Sequence, residues 1–378
     1  MLAALLAATA ALRATAAAPR AVVVHVGGAL PGVLPAQANF VGFSIEVSHV
    51  LDMIGKDGAN AAYAQLLRNL AQLTSGPHAG PVLRLGGNSA DLSCFEGGFP
   101  SSACKYNITR GDLDAYVAFA HGVAADVNVS YVIDTNFGLS PDPHAVATRH
   151  VAALGAAGLW PLVAAVEIGN EMDLYARHGN HRTKSYTFED YEAEFARYVA
   201  AFAAAGLPLG RRLQGGTFSS TGGAWGGGLA GYLRRWARAG RLRTLSLHRY
   251  ATSNCRTKKP PLTTLLSQDA SVGMVRKLQK YIEETTRAGV DFVVGEGNSA
   301  SCGGVPGVSD RFASALWALD MLPELAKAGA RGMNFHGGPY GVYPAISFHR
   351  DGTPEVRPLY YGLLAFSELI AIESRWLG

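Results

Sequence analysis

Two glutamates, Glu171 and Glu296, stand where carboxylates could do chemistry. Each closes a short apolar run that is typical of a buried β-strand, Ala164 to Asn170 in the first case and Asp291 to Gly295 in the second. Cleavage of a glycosidic bond needs one carboxylic acid that donates a proton and one carboxylate that attacks carbon or activates water. We therefore predict a sugar-cleaving enzyme in which Glu171 is the proton donor and Glu296 the nucleophile.

Other polar residues follow similar runs and could support the two glutamates. The amide of Asn170, beside the proton donor, can hydrogen-bond a sugar hydroxyl. Arg84 can lower the pKa of Glu296 and orient its carboxylate, and Tyr250 can donate a hydrogen bond to the same group. For Arg84 and Tyr250, a packing or ion-pair role is the alternative.

The elements that must position these residues alternate between strands and helices along the 378-residue chain. The apolar runs that we interpret as strands are Phe40 to Glu46, Pro81 to Gly86, Ser130 to Asn136, Val163 to Asn170, Arg212 to Gly216, Thr244 to Tyr250, Phe292 to Glu296, and Gly332 to His336. The predicted helices are Ala61 to Leu73, Leu113 to Ala125, Pro143 to Ala157, Phe188 to Ala205, Leu229 to Ala239, Ser271 to Ala288, Arg311 to Ala328, and Pro358 to Glu373. Eight such pairs predict a (β/α)8 barrel, with its chemistry at the carboxyl ends of the strands. A doubly wound open sheet is the alternative, but the Gly-rich nucleotide loop typical of that fold is missing.

The motifs at these strand ends resemble glycoside hydrolase family 79, the β-glucuronidase and heparanase family. The matching stretches are Gly42 to Glu46, Leu83 to Asn88, Glu167 to Glu171, His248 to Tyr250, Gly295 to Ser299, and Asn334 to Gly338. The resemblance implies a retaining enzyme with Glu171 as acid/base and Glu296 as nucleophile, acting on a β-linked glucuronic acid without a metal or an organic cofactor. The residues that we expect to bind substrate or support catalysis are Glu46, Arg84, Asn88, Asn170, His248, Tyr250, Gly303, His336 and Tyr340.

The same resemblance implies how the carboxylate of a glucuronic acid is recognised. Tyrosine hydroxyls and backbone N–H groups near strands seven and eight would hold it, and the candidates are Tyr340 and Gly303. A glycine lets the backbone approach an anion closely. The alternative is a surface tyrosine and an ordinary turn glycine.

Charge gives little support for a nucleic-acid or membrane partner. The formal net charge is +4, which is too small to indicate either. A basic cluster comprises Arg234, Arg235, Arg238, Arg241 and Arg243. It falls on the fifth helix and before the sixth strand, toward the amino-terminal face of the barrel, so we expect a solvated helix face instead of a polyanion groove.

Several features predict a secreted or extracellular glycoprotein, with a vacuolar or lysosomal location as the alternative. Residues 1–18 are rich in Ala and Leu and resemble a signal peptide. We expect disulfides that join Cys94 to Cys104 and Cys255 to Cys302; four free thiols in a cytosolic protein is the other interpretation. Sequons begin at Asn107 and Asn128. No later stretch is long and apolar enough to predict a membrane span.

One segment does not fit a single barrel. Residues 19–36 contain the apolar run Ala21 to Val26, which we interpret as a strand of a β-sandwich whose other strands the sequence does not supply, and we assign 37–378 to the barrel. For the activity we favour exo-acting hydrolysis of terminal β-D-glucuronic acid. The alternatives are an endo-acting heparanase-like enzyme, an inactive saccharide-binding barrel, or a related xylanase or glucosidase. The aglycone and the oligomeric state cannot be deduced from the sequence.

Overall fold

A closed barrel of parallel strands dominates the structure, a computed structural model that describes residues 39–71, 80–96, 104–123, 127–138, 143–178, 181–219, 223–255 and 259–371. The barrel strands are β1 Val41–Glu46, β2 Val82–Gly86, β3 Ser130–Thr135, β4 Val163–Ile168, β5 Leu213–Phe218, β6 Leu242–His248, β7 Asp291–Gly297 and β8 Gly332–His336. Each strand pairs with the next along the chain, and β8 returns to β1 with Met333 opposite Val41. This confirms the (β/α)8 barrel and excludes the open doubly wound sheet.

A long helix follows each strand on the outside of the barrel. The helices are α1 Ala61–Ala71, α2 Arg110–Val123, α3 Pro143–Ala156, α4 Phe188–Ala204, α5 Gly223–Arg238, α6 Gln279–Ala288, α7 Ala313–Lys327 and α8 Pro358–Ala371. Shorter helices span Val50–Ile54, Tyr175–His178, Leu262–Leu265 and Val272–Arg276.

Three predicted helices differ from those observed. Helix α2 begins three residues early because Thr109 and Asp112 form a reciprocal cap: Asp112 N donates to Thr109 Oγ1 at 3.2 Å, and Thr109 N donates to Asp112 Oδ2 at 2.8 Å. Helix α5 starts at Gly223 instead of Leu229, ahead of a glycine run that hid its beginning. The single helix predicted from Ser271 to Ala288 is wrong, because a tight turn at Leu278, whose N–H donates to Val275 O at 2.8 Å, separates two helices.

The hydrophobic core lies between the strands and the surrounding helices. Trp317 of α7 is fully buried, packs edge-on against Phe335 of β8, and donates its indole N–H to Ala270 O at 2.9 Å. Gly362 lets α8 approach α7 closely, since a Cβ atom there would lie 2.6 Å from Ala315 O. Burial of this apolar surface is the main source of stability for such a fold.

The interior of the barrel, in contrast, is polar. Buried side chains from all eight strands include Ser44, Arg84, Asp134, Glu167, Gln214, Ser246, His248, Glu296, Asn334 and His336. Buried charges are tolerated only when they are paired and hydrogen-bonded, so such residues hold one another in fixed positions. The strand interiors therefore build a rigid polar base under the mouth of the barrel.

Short strand pairs and disulfides connect the loops beyond the carboxyl ends of the strands. Ser93–Phe95 pairs with Tyr106–Ile108, Thr252–Ser253 with Ala300–Ser301, and Ile346–Phe348 with Pro354–Val356. The disulfides join Cys94 to Cys104 and Cys255 to Cys302, the pairing that was expected from the sequence.

Some predicted features lie outside the described residues. These are the signal peptide of residues 1–18 and the additional strand within 19–36. None of the described helices combines the length and the apolar character that crossing a membrane requires. Asn107 and Asn128, which begin the sequons, are both exposed.

Candidate active site

Arg84, from the middle of β2, is the centre of the site and has no solvent exposure. Its guanidinium lies against five side chains: Ser44, Asp134, Glu167, Asn170 and Glu296. The Nε atom donates to Glu167 Oε1 and the Nη1 atom to Glu296 Oε2, each at 2.7 Å. Burial would lower the pKa of Arg84, but the surrounding carboxylates raise it above its usual range, so the guanidinium stays charged.

Glu296, at the carboxyl end of β7, is held as a carboxylate. Tyr250 donates its hydroxyl to Glu296 Oε1 at 2.8 Å while Arg84 binds the other oxygen. Burial alone would raise the pKa of Glu296, but His336, His248 and Arg84 together with the Tyr250 hydrogen bond bring it well below its usual range. An ionised carboxylate fixed at both oxygens is the form that a nucleophile requires.

Glu171 lies across the mouth from Glu296, just after β4, and has an unusual backbone. Its φ and ψ angles of 50° and 45° are left-handed, a conformation that a residue with a side chain seldom adopts. Its N–H donates to Thr217 O at 2.9 Å, which fixes the segment against the end of β5. The side chain is partly exposed, and Oε1 lies 3.1 Å from Nδ1 of the buried His248.

The two glutamates and His248 converge on one point. The ligand-type atoms of Glu171, His248 and Glu296 all lie within 4.8 Å of one another. Three such ligands could in principle hold a divalent cation. The Arg84 guanidinium already neutralises Glu296 from 2.7 Å, however, so the arrangement favours acid/base and nucleophilic chemistry.

Glu46 anchors the loop that follows β2. Its carboxylate accepts hydrogen bonds from Asn88 N at 3.2 Å, from Ser89 N at 2.8 Å and from the Ser89 hydroxyl. Gly87 makes this close packing possible, because it has a φ of +82° and a Cβ atom there would lie 2.6 Å from the Glu46 carboxyl. Glu46 thus holds the exposed Asn88 at the mouth, where its side chain accepts a hydrogen bond from Asn170 Nδ2 at 3.0 Å.

His336, at the end of β8, lies beside the Glu296 carboxylate. Its Nδ1 lies 3.0 Å from Ser44 Oγ and 3.7 Å from Glu296 Oε2. Its carbonyl oxygen accepts a hydrogen bond from Asn298 Nδ2 at 2.8 Å. The loops after β7 and β8 are therefore joined beside Glu296.

The structure brings together most of the site residues that the sequence predicted, but not Tyr340 and Gly303. Tyr340 is 58% exposed, and Gly303 lies in an exposed turn with open space around its Cα. Tyr343, which the sequence analysis missed, is a further tyrosine beside the site: its ring lies 6.4 Å from that of Tyr250 and 6.1 Å from that of His336. Burial and the negative charge of Glu296 raise the pKa of its hydroxyl.

Glu167 and Gln214 are two further buried residues that the sequence analysis did not assign to the site. Gln214 Nε2 donates to Glu167 Oε2, and the other oxygen of Glu167 accepts from Arg84. Side chains alternate between the two faces of a strand, and the position of Glu167 along β4 is that of an inward-facing residue. This pattern could have assigned Glu167 to the barrel interior.

The basic cluster lies where the sequence predicted. Arg234, Arg235 and Arg238 are exposed near the carboxyl end of α5, and Arg235 Nη1 pairs with Glu192 Oε1 of α4 at 2.9 Å. Cationic residues stabilise the carboxyl end of a helix. That end faces the amino-terminal side of the barrel, away from the glutamate pair.

Comparison with known proteins supports the resemblance drawn from the motifs. No family model matches the chain. It is 25% identical over 363 residues to the β-glucuronidase of Aspergillus niger, a match that covers 90% of this chain and 66% of that protein. This similarity confirms the likeness to β-glucuronidases, and the chain spans just under two thirds of that relative's length.

Solved structures share the fold at lower identity. A 4-O-α-L-rhamnosyl-β-D-glucuronidase from Fusarium oxysporum superposes with a TM-score of 0.73 at 19% identity, covering 92% of this chain and 73% of that one. An α-L-arabinofuranosidase from Bifidobacterium longum gives a TM-score of 0.58 at 13% identity, covering 90% and 74%. A β-xylosidase from Caulobacter crescentus gives 0.56 at 15% identity, covering 88% and 69%. These matches confirm the barrel fold.

Proposed function

We propose that the chain is a retaining, exo-acting β-glucuronidase that releases terminal β-D-glucuronic acid. The observation that carries the retaining mechanism is the spacing of Glu171 and Glu296, since one carboxylate oxygen of each lies within 4.8 Å of the other. Retaining glycosidases keep the two carboxyl groups about 5–5.5 Å apart, whereas inverting enzymes leave room for a water molecule at about 6.5–9.5 Å. A spacing this short supports direct attack by one carboxylate.

The environments of the two glutamates support different roles. Glu296 is fixed by Arg84 and Tyr250 and stays ionised, so its carboxylate attacks the anomeric carbon. Glu171 reaches the mouth and donates its proton to the glycosidic oxygen as that bond breaks. The glycosyl ester on Glu296 is then hydrolysed by a water molecule whose proton returns to Glu171, which restores both groups.

The glucuronate specificity rests on the similarity to β-glucuronidases and on the hydroxyl groups at the mouth. Arg84 is fully enclosed and committed to the interior carboxylates, so it does not offer a free cation to the sugar. We propose Tyr343, which lies beside the nucleophile, as a donor to the sugar carboxylate. Tyr340 and the backbone N–H of Gly303 stay candidates, although both are more exposed.

The activity is tested with 4-nitrophenyl glycosides. We expect release of nitrophenol from the β-D-glucuronide and at least tenfold slower release from the β-D-glucoside, the β-D-xyloside and the α-L-arabinofuranoside. Glu296→Ala should abolish turnover, whereas Glu283→Gln, which removes an exposed carboxylate on α6, should leave it unchanged. Preference for a neutral glycoside would overturn the glucuronate assignment.

Two further measurements test the mechanism and the mode of action. The first sugar product, followed by NMR before mutarotation, should be the β-anomer; the α-anomer would contradict the nucleophile role of Glu296. Acidic oligosaccharides should lose one terminal glucuronic acid at a time. Cleavage at internal bonds would indicate the endo-acting alternative, and calorimetric binding of glucuronate without turnover would indicate a saccharide-binding barrel.

A further inference from the structure

We propose that Asp91, in the loop after β2, is a positioning residue for the proton donor Glu171. This inference rests on the proposed function, since it assumes that Glu171 is the acid/base. Asp91 is 2% exposed. It acts through Phe137 and Tyr175, which lie in the loops that pack around the Glu171 segment.

The segment that carries Glu171 is held by backbone donors on both sides of Asn170. Gly169 N donates to Asp134 Oδ1 at 3.0 Å, and Glu171 N donates to Thr217 O at 2.9 Å. Phe137, whose N–H donates to Asp91, packs against the same segment, since a Cβ atom at Gly169 would lie 2.6 Å from Phe137 Cβ. A left-handed backbone at Glu171 is maintained only when its surroundings fix it, so each of these contacts helps to set the direction of its side chain.

Asp91 also joins the loops that surround this segment. Its Oδ1 accepts a hydrogen bond from Phe137 N at 3.0 Å, and its Oδ2 accepts one from the Tyr175 hydroxyl. Phe137 follows β3 and Tyr175 begins the short helix after β4, so one carboxylate connects three consecutive β/α loops. Arg182 lies over the rings of Phe137 and Tyr175 at 5.5 and 5.7 Å and supplies a nearby positive charge.

The nucleophile is fixed by a separate set of contacts. Glu296 is bound by Arg84 and Tyr250, neither of which touches Asp91 through a described hydrogen bond or ion pair. Loss of Asp91 should therefore impair proton donation more than nucleophilic attack. If Asp91 had a purely structural role, its loss would reduce the fraction of folded enzyme and would lower the rates on all substrates equally.

The dependence of the rate on the leaving group separates these roles. We would measure kcat/KM for 2,4-dinitrophenyl, 4-nitrophenyl and phenyl β-D-glucuronides, whose phenols need increasing help from an acid. For Asp91→Ala we expect kcat/KM for the phenyl glucuronide to fall at least tenfold more than kcat/KM for the dinitrophenyl glucuronide. Glu171→Ala should show the same pattern of losses. Asp91→Asn keeps an oxygen that can accept from Phe137 N and an amide that can hydrogen-bond the Tyr175 hydroxyl, so it should keep the wild-type dependence.

A destabilised control variant distinguishes the positioning role from a general loss of folded protein. Tyr131→Phe removes a buried hydrogen bond from the Tyr131 hydroxyl to Tyr116 O at 2.8 Å, on the helix side of β3. It should lower the unfolding temperature without altering the leaving-group dependence. Equal losses on all three glucuronides in Asp91→Ala would overturn the positioning role while leaving the proposed function intact.

A second measurement does not depend on activity. In Asp91→Ala, amide hydrogen exchange should accelerate in peptides that cover Asn170 and Glu171, and peptides that cover Glu296 should be unchanged. If Asp91→Ala does not fold, Tyr175→Phe removes one donor to Asp91 and should produce smaller changes of the same kind in hydrogen exchange and in the leaving-group dependence. Unaltered exchange at Asn170 in the folded variant would refute the proposal, whereas wild-type protein without glucuronide hydrolysis would refute the proposed function alone.

Discussion

At the scale of single residues, Arg84 links the chemistry to the stability of the barrel. It is one buried cation shared among Glu167, Asp134 and Glu296, so removing it would leave carboxylates enclosed without a counter-charge. Breaking a buried ion pair in this way costs far more than the pair contributes, because the remaining charge cannot be solvated. Arg84 is therefore needed for folding as well as for holding the Glu296 carboxylate in place.

Arg84→Met should lower the free energy of unfolding by about 3–5 kcal/mol. Urea denaturation followed by circular dichroism would measure the change. The matched control is Arg110→Met, whose guanidinium pairs with Asp114 at 2.8 Å on the exposed face of α2. That variant should stay within about 0.5 kcal/mol of wild type. Equal losses in the two variants would contradict the interpretation.

His248 gives the site a predictable dependence on pH. Burial lowers its pKa, but the charge of Glu296 and the hydrogen bond with Glu171 outweigh burial and raise it above the usual value. A raised pKa means that the folded state binds the proton more tightly. The resulting stability is complete below the unfolded pKa of about 6.5 and is lost as the pH rises through the higher folded pKa.

The measurement for this prediction is urea unfolding between pH 5.5 and 8.5. The advantage of wild type over His248→Gln should shrink as the pH rises across this range. His121→Gln, which alters an exposed histidine at the end of α2, should show no such trend. A constant difference between wild type and His248→Gln would show that the imidazole does not take up a proton on folding.

The sequence predicted the paired glutamates better than their surroundings. Glu171, Glu296, Arg84 and Tyr250 each follow or end an apolar run, and strand ends on one face of a barrel must converge. Tyr343 could not be chosen over Tyr340 in this way, because both lie in one irregular loop. Its orientation depends on long-range contacts, such as that of Asn298 Nδ2 with Tyr343 O at 3.0 Å.

At the scale of elements, short connections fix the loops that carry the site. The disulfide Cys255–Cys302 and the paired strands Thr252–Ser253 and Ala300–Ser301 join the loops after β6 and β7. These loops follow Tyr250 and Glu296 directly. The pairing was predictable because neighbouring barrel strands bring the two loops together, whereas the two-residue strands are too short to leave a sequence pattern.

Removing the two disulfides should have unequal effects. Loop-closure entropy predicts a loss of about 4 kcal/mol for the 47-residue separation of Cys255 and Cys302, against about 2.7 kcal/mol for the 10-residue separation of Cys94 and Cys104. Thermal unfolding of the two double serine variants would measure the difference. A larger loss from Cys94→Ser with Cys104→Ser would contradict this order.

At the scale of the whole molecule, apolar and polar residues are separated in layers. Apolar side chains fill the space between strands and helices, and charged ones line the barrel interior up to the mouth. Hydrophobic periodicity predicts the first layer well, which is why the eight strands and the barrel could be predicted. Hydrophobic periodicity cannot predict the pairing of interior charges such as Glu167 and Arg84. These two residues are 83 positions apart in sequence, and their pairing depends on the register between the strands that carry them.

Secretion through a glycosylating pathway is also a whole-molecule prediction. Asn107 and Asn128 are exposed, so an oligosaccharide could be attached to either without disturbing the core. Protein secreted from a eukaryotic host should lose mass when treated with an amidase that removes N-linked glycans. Asn107→Gln and Asn128→Gln should each remove one glycan, and an unchanged mass after treatment would contradict the prediction.

The left-handed backbone of Glu171 lowers the stability of the fold at a residue that the proposed catalysis requires. Each such residue with a side chain costs about 1–2 kcal/mol relative to a right-handed one, and glycine largely avoids this cost. Glu171→Gly should therefore unfold at a higher temperature than wild type while lacking the carboxyl group that we propose as the proton donor. A thermostability screen of random variants would enrich this inactive chain, so improvement of the protein by directed evolution has to select for turnover directly.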